Sequence, residues 1–217
     1  MSGPRAEDGV EAAGALRAED LHLWRGEQHV LRGLSFELSA GQCLQVTGPN
    51  GSGKTSLLRA LCGLIPLESG RVFWRGRDVA AARDVFHSQI DYLGHESGLK
   101  ADLSARENLR YAVRLRRAVG SAEIAAALSL AGVPDTGSAQ LRHLSAGQRR
   151  RVALARLLLS GAALWILDEP GVNLDSRGQE LLGRLISQQL SRGGSAVVAT
   201  HQPLVLMAAQ PLSLALQ

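Results

Sequence analysis

Two of the 24 basic residues in this 217-residue chain are lysines, and one of them, Lys54, lies in the run Gly48, Pro49, Asn50, Gly51, Ser52, Gly53, Lys54, Thr55. The spacing G-x-x-x-x-G-K-[ST] is that of a loop that cradles phosphate. Its glycines let backbone N–H groups converge on an anion, the lysine ammonium reaches the outer phosphates, and the threonine hydroxyl ligates magnesium. A planar guanidinium cannot act there as a compact point charge, which explains a lysine in a chain that otherwise uses arginine. Ser56, next in sequence, belongs to the same site. The pattern implies a nucleoside triphosphate, with Lys54 in both a binding and a catalytic part.

Two further patterns carry chemistry. Ala163-Leu-Trp-Ile-Leu-Asp-Glu169 reads as an apolar strand that delivers two carboxylates at its C-terminal end, where ligands sit in open α/β sheets. Asp168 can hold magnesium through water, and Glu169 can orient and deprotonate an attacking water. Leu144-Ser-Ala-Gly-Gln148 precedes an apolar helical stretch from Arg151 to Ser160. Ser145 and Gln148 fit a capping box, whereas Ser145, Ala146, Gly147 and Gln148 at a helix start also fit a phosphate site. The local pattern leaves both readings open.

The elements that must position these groups alternate between short apolar runs and capped helices, as in an α/β protein. Leu34–Leu38, Cys43–Thr47, Arg71–Trp74, Leu164–Leu167 and Ala196–Thr200 read as strands, the last two buried on both faces as in a parallel sheet. One helix runs from Lys54 to a stop at Gly63. The 113 residues between Lys54 and Asp168 far exceed the roughly 30 of a strand–helix–strand unit, so something is inserted. Ser104-Ala-Arg-Glu107 is a capping box opening a helix to about Ala118, and Ser121 caps another that ends before Gly132. A mainly helical subdomain is expected at about 95–160, and a further helix from Ser176 to Gly193.

Composition narrows the class. Hydrophobic content of 45% and charged content of 20% are ordinary for a globular domain. The longest apolar run, near Leu164, is too short to span a membrane. Residues 1–17 lack the apolar stretch of a signal peptide and are expected to be a disordered leader before one domain at 18–217. The net charge is +4, but apart from Arg114–Arg117 and Arg149–Arg151 the arginines are scattered, so a basic surface rather than nucleic-acid binding is expected. Cys43 and Cys62 stand alone in apolar segments and read as buried thiols.

In combination, these motifs resemble the ABC-transporter ATPases over about residues 18–205, in family order. Leu144–Gln148, followed by Arg149–Arg156, is similar to the family signature, with Ala146 in a usual glycine place. Asn173-Leu-Asp175 resembles the loop that signals between subunits, His201 falls at the switch histidine, and Trp24 stands where an aromatic stacks on adenine. A glutamine usual to the family, twelve residues before the Glu of Glu107-Asn108, is here His95. That variant, with Leu164–Pro170 and Thr200–Leu204, is similar to the haem-exporter branch serving cytochrome c maturation. Glu96 and Gly171 depart from that branch. The resemblance implies a P-loop NTPase core with a mainly parallel sheet, an N-terminal antiparallel β part and the inserted helical subdomain. It also implies ATP and Mg2+, with His95 near the γ-phosphate, and a head-to-tail dimer closing on two nucleotides. Partners would be the integral membrane permease subunits, at the cytoplasmic face of a bacterial inner membrane. Alternatives are an ABC ATPase for another substrate, such as an ion or lipid, or a soluble ABC ATPase outside transport.

Overall fold

The computed structural model describes residues 15–114, 116–134, 137–207 and 210–217. Strands β1 (Leu16–Arg25) and β2 (Gln28–Leu38) form an antiparallel hairpin around Gly26-Glu27, and β1 also pairs with β4 (Ser69–Trp74), which carries the short β5 (Arg77–Asp78). The expected leader 1–17 is corrected at its end. Leu16 is fully buried and already in β1, while residues 1–14 lie outside the described residues. Asp20 has a φ of 49° and marks a register shift between Ala18 and Leu21. That bulge brings Leu16, Ala18, Leu21 and Leu23 into one core despite their broken alternation.

The second sheet is parallel. It runs β6 (Ile90–Leu93), β7 (Leu164–Asp168), β8 (Ser195–Ala199), β3 (Cys43–Thr47), β9 (Leu212–Ala215). Successive residues of β7 face opposite layers. Leu164 and Ile166 pack with α1 (Lys54–Leu61) and the antiparallel sheet, while Trp165 and Leu167 pack with α6 (Ser176–Ser191) and α5 (Ala146–Ser160). On α1, Leu57, Leu58 and Leu61 are fully buried, each contributing about 1.5–3 kcal/mol. Gly63, at φ 65°, stops the chain just past that helix. Helix α2 (Arg83–Gln89) is pinned to this corner through His87 and Cys62 O, 2.8 Å apart. Cys43 and Cys62 are buried, and burial pushes both thiols up to about 12.

The inserted helices α3 (Ala105–Arg114), α4 (Ser121–Leu130) and α5 share a separate core around Leu109, Ile124, Leu141 and Val152. The Ser104–Glu107 capping box forms, with Ser104 N–H donating to Glu107 Oε2 at 2.8 Å. Two expected boundaries change. The described part of helix α3 ends at Arg114 rather than near Ala118, and the N–H groups of Arg116 and Arg117, past the helix, both donate to Val113 O. Gly120, not Ser121, is the N-cap of α4, and Ser121 Oγ instead accepts from Arg110. Among the described residues no helix is long and apolar enough to cross a membrane.

Candidate functional site

A cleft of about 640 Å³ opens where β3 and β7 end. It is lined by Gly48, Pro49, Asn50, Gly51, Gly53, Lys54, Thr55 and Ser56, by His95, Asp168, Glu169 and His201, and by Arg25 and Val172. Four segments far apart in sequence, residues 48–56, 95, 168–172 and 201, therefore meet in one place because β6, β7, β8 and β3 are neighbours in the sheet.

The loop between β3 and α1 is shaped by close approach. Gly48 has a φ of 145°, and a Cβ there would meet Leu216 O and Ser52 Oγ at 2.6 Å. A Cβ on Gly53, at φ 98°, would lie 2.1 Å from Val30 Cγ1 of β2. Any larger residue at either position would push the loop apart. Lys54 is 7% exposed, and its Nζ donates to Gly48 O at 2.8 Å and Pro49 O at 3.0 Å. Ser52 Oγ is buried without a partner among the described residues. An orphaned hydroxyl inside a loop of backbone donors fits an anion bound there.

Thr55 Oγ1 donates to Asp168 Oδ2 at 2.8 Å. A hydroxyl and a carboxylate suit a hard cation such as magnesium. Among the described residues no group of three or more His, Cys, Asp or Glu could hold a metal alone. Phosphate oxygens and water would then complete the shell, as magnesium prefers.

Glu169 sits just past β7 at φ 47°, an uncommon conformation for a non-glycine residue. Its N–H donates to Ala199 O at 2.9 Å, and its carboxylate lies 3.0 Å from His201 Nδ1. The carboxylate is mostly shielded, with 17% side-chain exposure, whereas His201 is 58% exposed. A shielded carboxylate with an open imidazole beside it can take a proton from water in the cleft and hold the other partner of the reaction in place.

The signature-like residues lie elsewhere. Ser145 is the N-cap of α5, its hydroxyl accepting from Gln148 N–H at 3.1 Å while Gln148 Oε1 accepts from Ser145 N–H at 2.8 Å. The capping box is real, and Ser145, Ala146, Gly147 and Gln148 do not line the cleft of their own chain. Gly147 is required by crowding, because a Cβ there would lie 2.8 Å from Asn173 O. Trp24 is 50% exposed and stacks on His29, with ring centroids 4.3 Å apart and planes within 5°. It does not line the cleft, although its neighbour Arg25 does.

Sequence reasoning missed Arg25, Val30 and Val172, which carry no motif of their own. Of the arginines Arg149–Arg151, expected at a basic surface, the middle one is buried. Arg150 is 5% exposed and donates to the carbonyls of Gly94, Asp168, Glu169 and Pro170. A basic residue next to a glycine-containing helix start gives no sequence signal that it will turn inward.

Residues 31–172 match the family described as ABC transporter. The chain is 47% identical over 194 residues to the cytochrome c biogenesis ATP-binding export protein CcmA 2 of Cupriavidus metallidurans, covering 89% of this chain and 92% of that one. It is 46% identical to the CcmA of Salmonella typhi, covering 87% and 90%. A solved ABC transporter ATP-binding protein from Pyrococcus furiosus superposes with a TM-score of 0.81 at 25% identity, covering 93% and 96%. A dimeric bacterial ABC transporter cassette superposes at 0.77 and 22%, covering 86% and 88%. With the phosphate loop, the strand-end carboxylates and the inserted helices all in the family's order, the chain belongs to the ABC transporter family as an ATP-hydrolysing cassette.

Proposed function

We propose that this chain is the ATPase subunit of a haem exporter serving cytochrome c biogenesis, coupling Mg-ATP hydrolysis to integral membrane permease subunits at the cytoplasmic face of a bacterial inner membrane. The observation that carries the chemistry is the meeting of Glu169 and His201, 3.0 Å apart, in the cleft that also holds Lys54, Thr55 and Asp168. The export role is supported by the relatives named above, which span about nine-tenths of this chain.

The residues divide the work as follows. The loop from Gly48 to Thr55, with Ser56, holds the triphosphate through backbone N–H groups, and Lys54 Nζ swings from its carbonyl partners to the outer phosphates. Thr55 and Asp168 would hold magnesium, which when bound would neutralise charge on the transferring phosphoryl group. Glu169 accepts a proton from the attacking water, and His201 orients that carboxylate and touches the γ-phosphate. His95 faces the same cleft and can donate or accept at the phosphate end. Trp24 offers an exposed indole, backed by His29, for adenine. Since Ser145–Gln148 lie away from their own cleft, a second copy supplies them, giving the head-to-tail dimer.

The test is complementation. In bacteria lacking their own CcmA-type subunit, the wild-type chain should restore cytochrome c maturation and recover with the membrane fraction, and Glu169→Gln should recover with membranes but mature no cytochrome. Restoration by Glu169→Gln, or a wild-type chain that neither complements nor associates with membranes, contradicts the proposal.

A further inference from the structure

Arg150 is the middle of three consecutive arginines, and it differs from both neighbours. Arg149 is exposed, and Arg151 pairs with the exposed Asp175 at 2.7 Å. Arg150 instead points inward as the fifth residue of α5. Its Nε donates to Pro170 O at 2.9 Å, Nη1 to Gly94 O at 3.1 Å, and Nη2 to Asp168 O at 3.0 Å and Glu169 O at 2.7 Å. Four of its five N–H groups are thereby used. Burial lowers this guanidinium to about 10, with Asp168 acting in the opposite direction, so it remains a cation at neutral pH.

The geometry of the acceptors is what matters. Three successive carbonyls, those of Asp168, Glu169 and Pro170, converge on one rigid planar fork. Glu169 is the residue among them with φ 47°, a conformation that persists only when its surroundings over-determine it. Fixing the carbonyls on both sides of Glu169 fixes the direction in which its side chain leaves the backbone, and that direction places its carboxylate against His201. The fourth acceptor, Gly94 O, immediately precedes His95. The same helix turn touches the next loop as well, where Gly147 is packed against Asn173 O and Arg151 holds Asp175.

We propose that Arg150 is a positioning residue for hydrolysis, a clamp that sets the Glu169 carboxylate and the His95 segment together and ties both to the helix beginning at Ser145. This rests on the reading of Glu169 as the proton acceptor. A consequence follows for the dimer. Any displacement of the α5 N-terminus when it meets the partner's nucleotide reaches Glu169 of its own chain through one side chain.

The experiment measures ATP affinity and phosphate release by the full chain for the wild type, Arg150→Lys, Arg150→Gln, Glu169→Gln, and the two Arg150 substitutions in the Glu169→Gln background. A misplaced base predicts that Arg150→Gln lowers kcat by about tenfold to hundredfold while KM and ATP affinity stay within about twofold. Arg150→Lys, which keeps the charge but loses the planar fork, should fall between. In the Glu169→Gln background neither substitution should lower residual turnover further, because both act through one carboxylate. Unchanged kcat in the Arg150 variants overturns the clamp. So does a parallel loss of affinity and kcat, or an additive loss in the double variants, as a merely structural role would give. If Arg150→Gln fails to fold, the split between KM and kcat in Arg150→Lys decides alone. Wild-type turnover by Glu169→Gln would instead remove the base assignment, a result distinct from failure of the clamp.

Discussion

His201 Nδ1 lies 3.0 Å from Glu169 Oε2 although the two residues are 32 apart in sequence. Pairing of β7 with β8 in the register Asp168 to Ala199 brings the two strand ends level, and each side chain follows its strand by one or two residues. If His201 orients Glu169 and the γ-phosphate, His201→Ala should lower kcat by roughly 10² to 10⁴ with ATP affinity retained. His201→Gln, which keeps a donor and an acceptor, should recover part of that loss. Steady-state phosphate release beside equilibrium nucleotide binding distinguishes this from a binding role, which would raise KM instead.

Capping of α5 by Ser145 and its proposed contact with a partner's nucleotide can be separated by substitution. Ser145→Ala removes the N-cap of α5 and should cost about 1 kcal/mol of stability. Ser145→Asp keeps the cap, since aspartate is among the best N-caps, but sets a carboxylate against the partner's triphosphate. Sedimentation in the Glu169→Gln background with Mg-ATP should show the dimer abolished by Ser145→Asp although thermal stability is unchanged. A dimer that forms normally with Ser145→Asp would confine these residues to capping.

Acid should loosen the N-terminal ends of α3 and α6. Glu107 is held below its ordinary value of 4.5 by the Ser104 backbone N–H and then by the Ser104 hydroxyl, and Asp175 below 3.8 by Gly178 N–H and then Arg151. In both, the unfolded chain binds more protons than the folded one between the two values. Their stabilisation is therefore fully present above the unfolded value and is lost as pH falls through the folded one. Melting temperatures of the wild type and Glu107→Gln, from about pH 6 to about pH 3, should differ most at the upper end and converge at the lower. A constant gap across that range would contradict the capping role.

The parts of this site legible in sequence are the glycine-and-lysine spacing of Gly48 to Thr55 and the carboxylate pair Asp168-Glu169 at the end of an apolar strand. The strands β3, β7 and β8 were legible because full burial on both faces leaves uninterrupted apolar runs. The hairpin was read only at Leu34–Leu38, because the bulge at Asp20 breaks the alternation of β1, while Arg32 and Gly33 interrupt β2. Strands β6 and β9 are four residues each, and Asp91 and Ser213 interrupt their apolar character. Arg150 was illegible for a different reason. What makes its burial tolerable is a set of backbone carbonyls from residues 94 and 168–170, and their convergence exists only in the folded sheet.

The central claim, that Lys54 holds the triphosphate in this cleft and Glu169 directs its hydrolysis, is tested most directly by following bound nucleotide and released phosphate in one experiment. Wild type, Lys54→Ala and Glu169→Gln would each be mixed with radiolabelled Mg-ATP. Lys54→Ala should lose affinity by at least about tenfold, the scale of a lost charge-assisted contact. Glu169→Gln should bind ATP as tightly as wild type and retain it uncleaved, with phosphate release down by about 10² or more. Phosphate release by Glu169→Gln at the wild-type rate, or unaltered ATP binding by Lys54→Ala, would contradict the account.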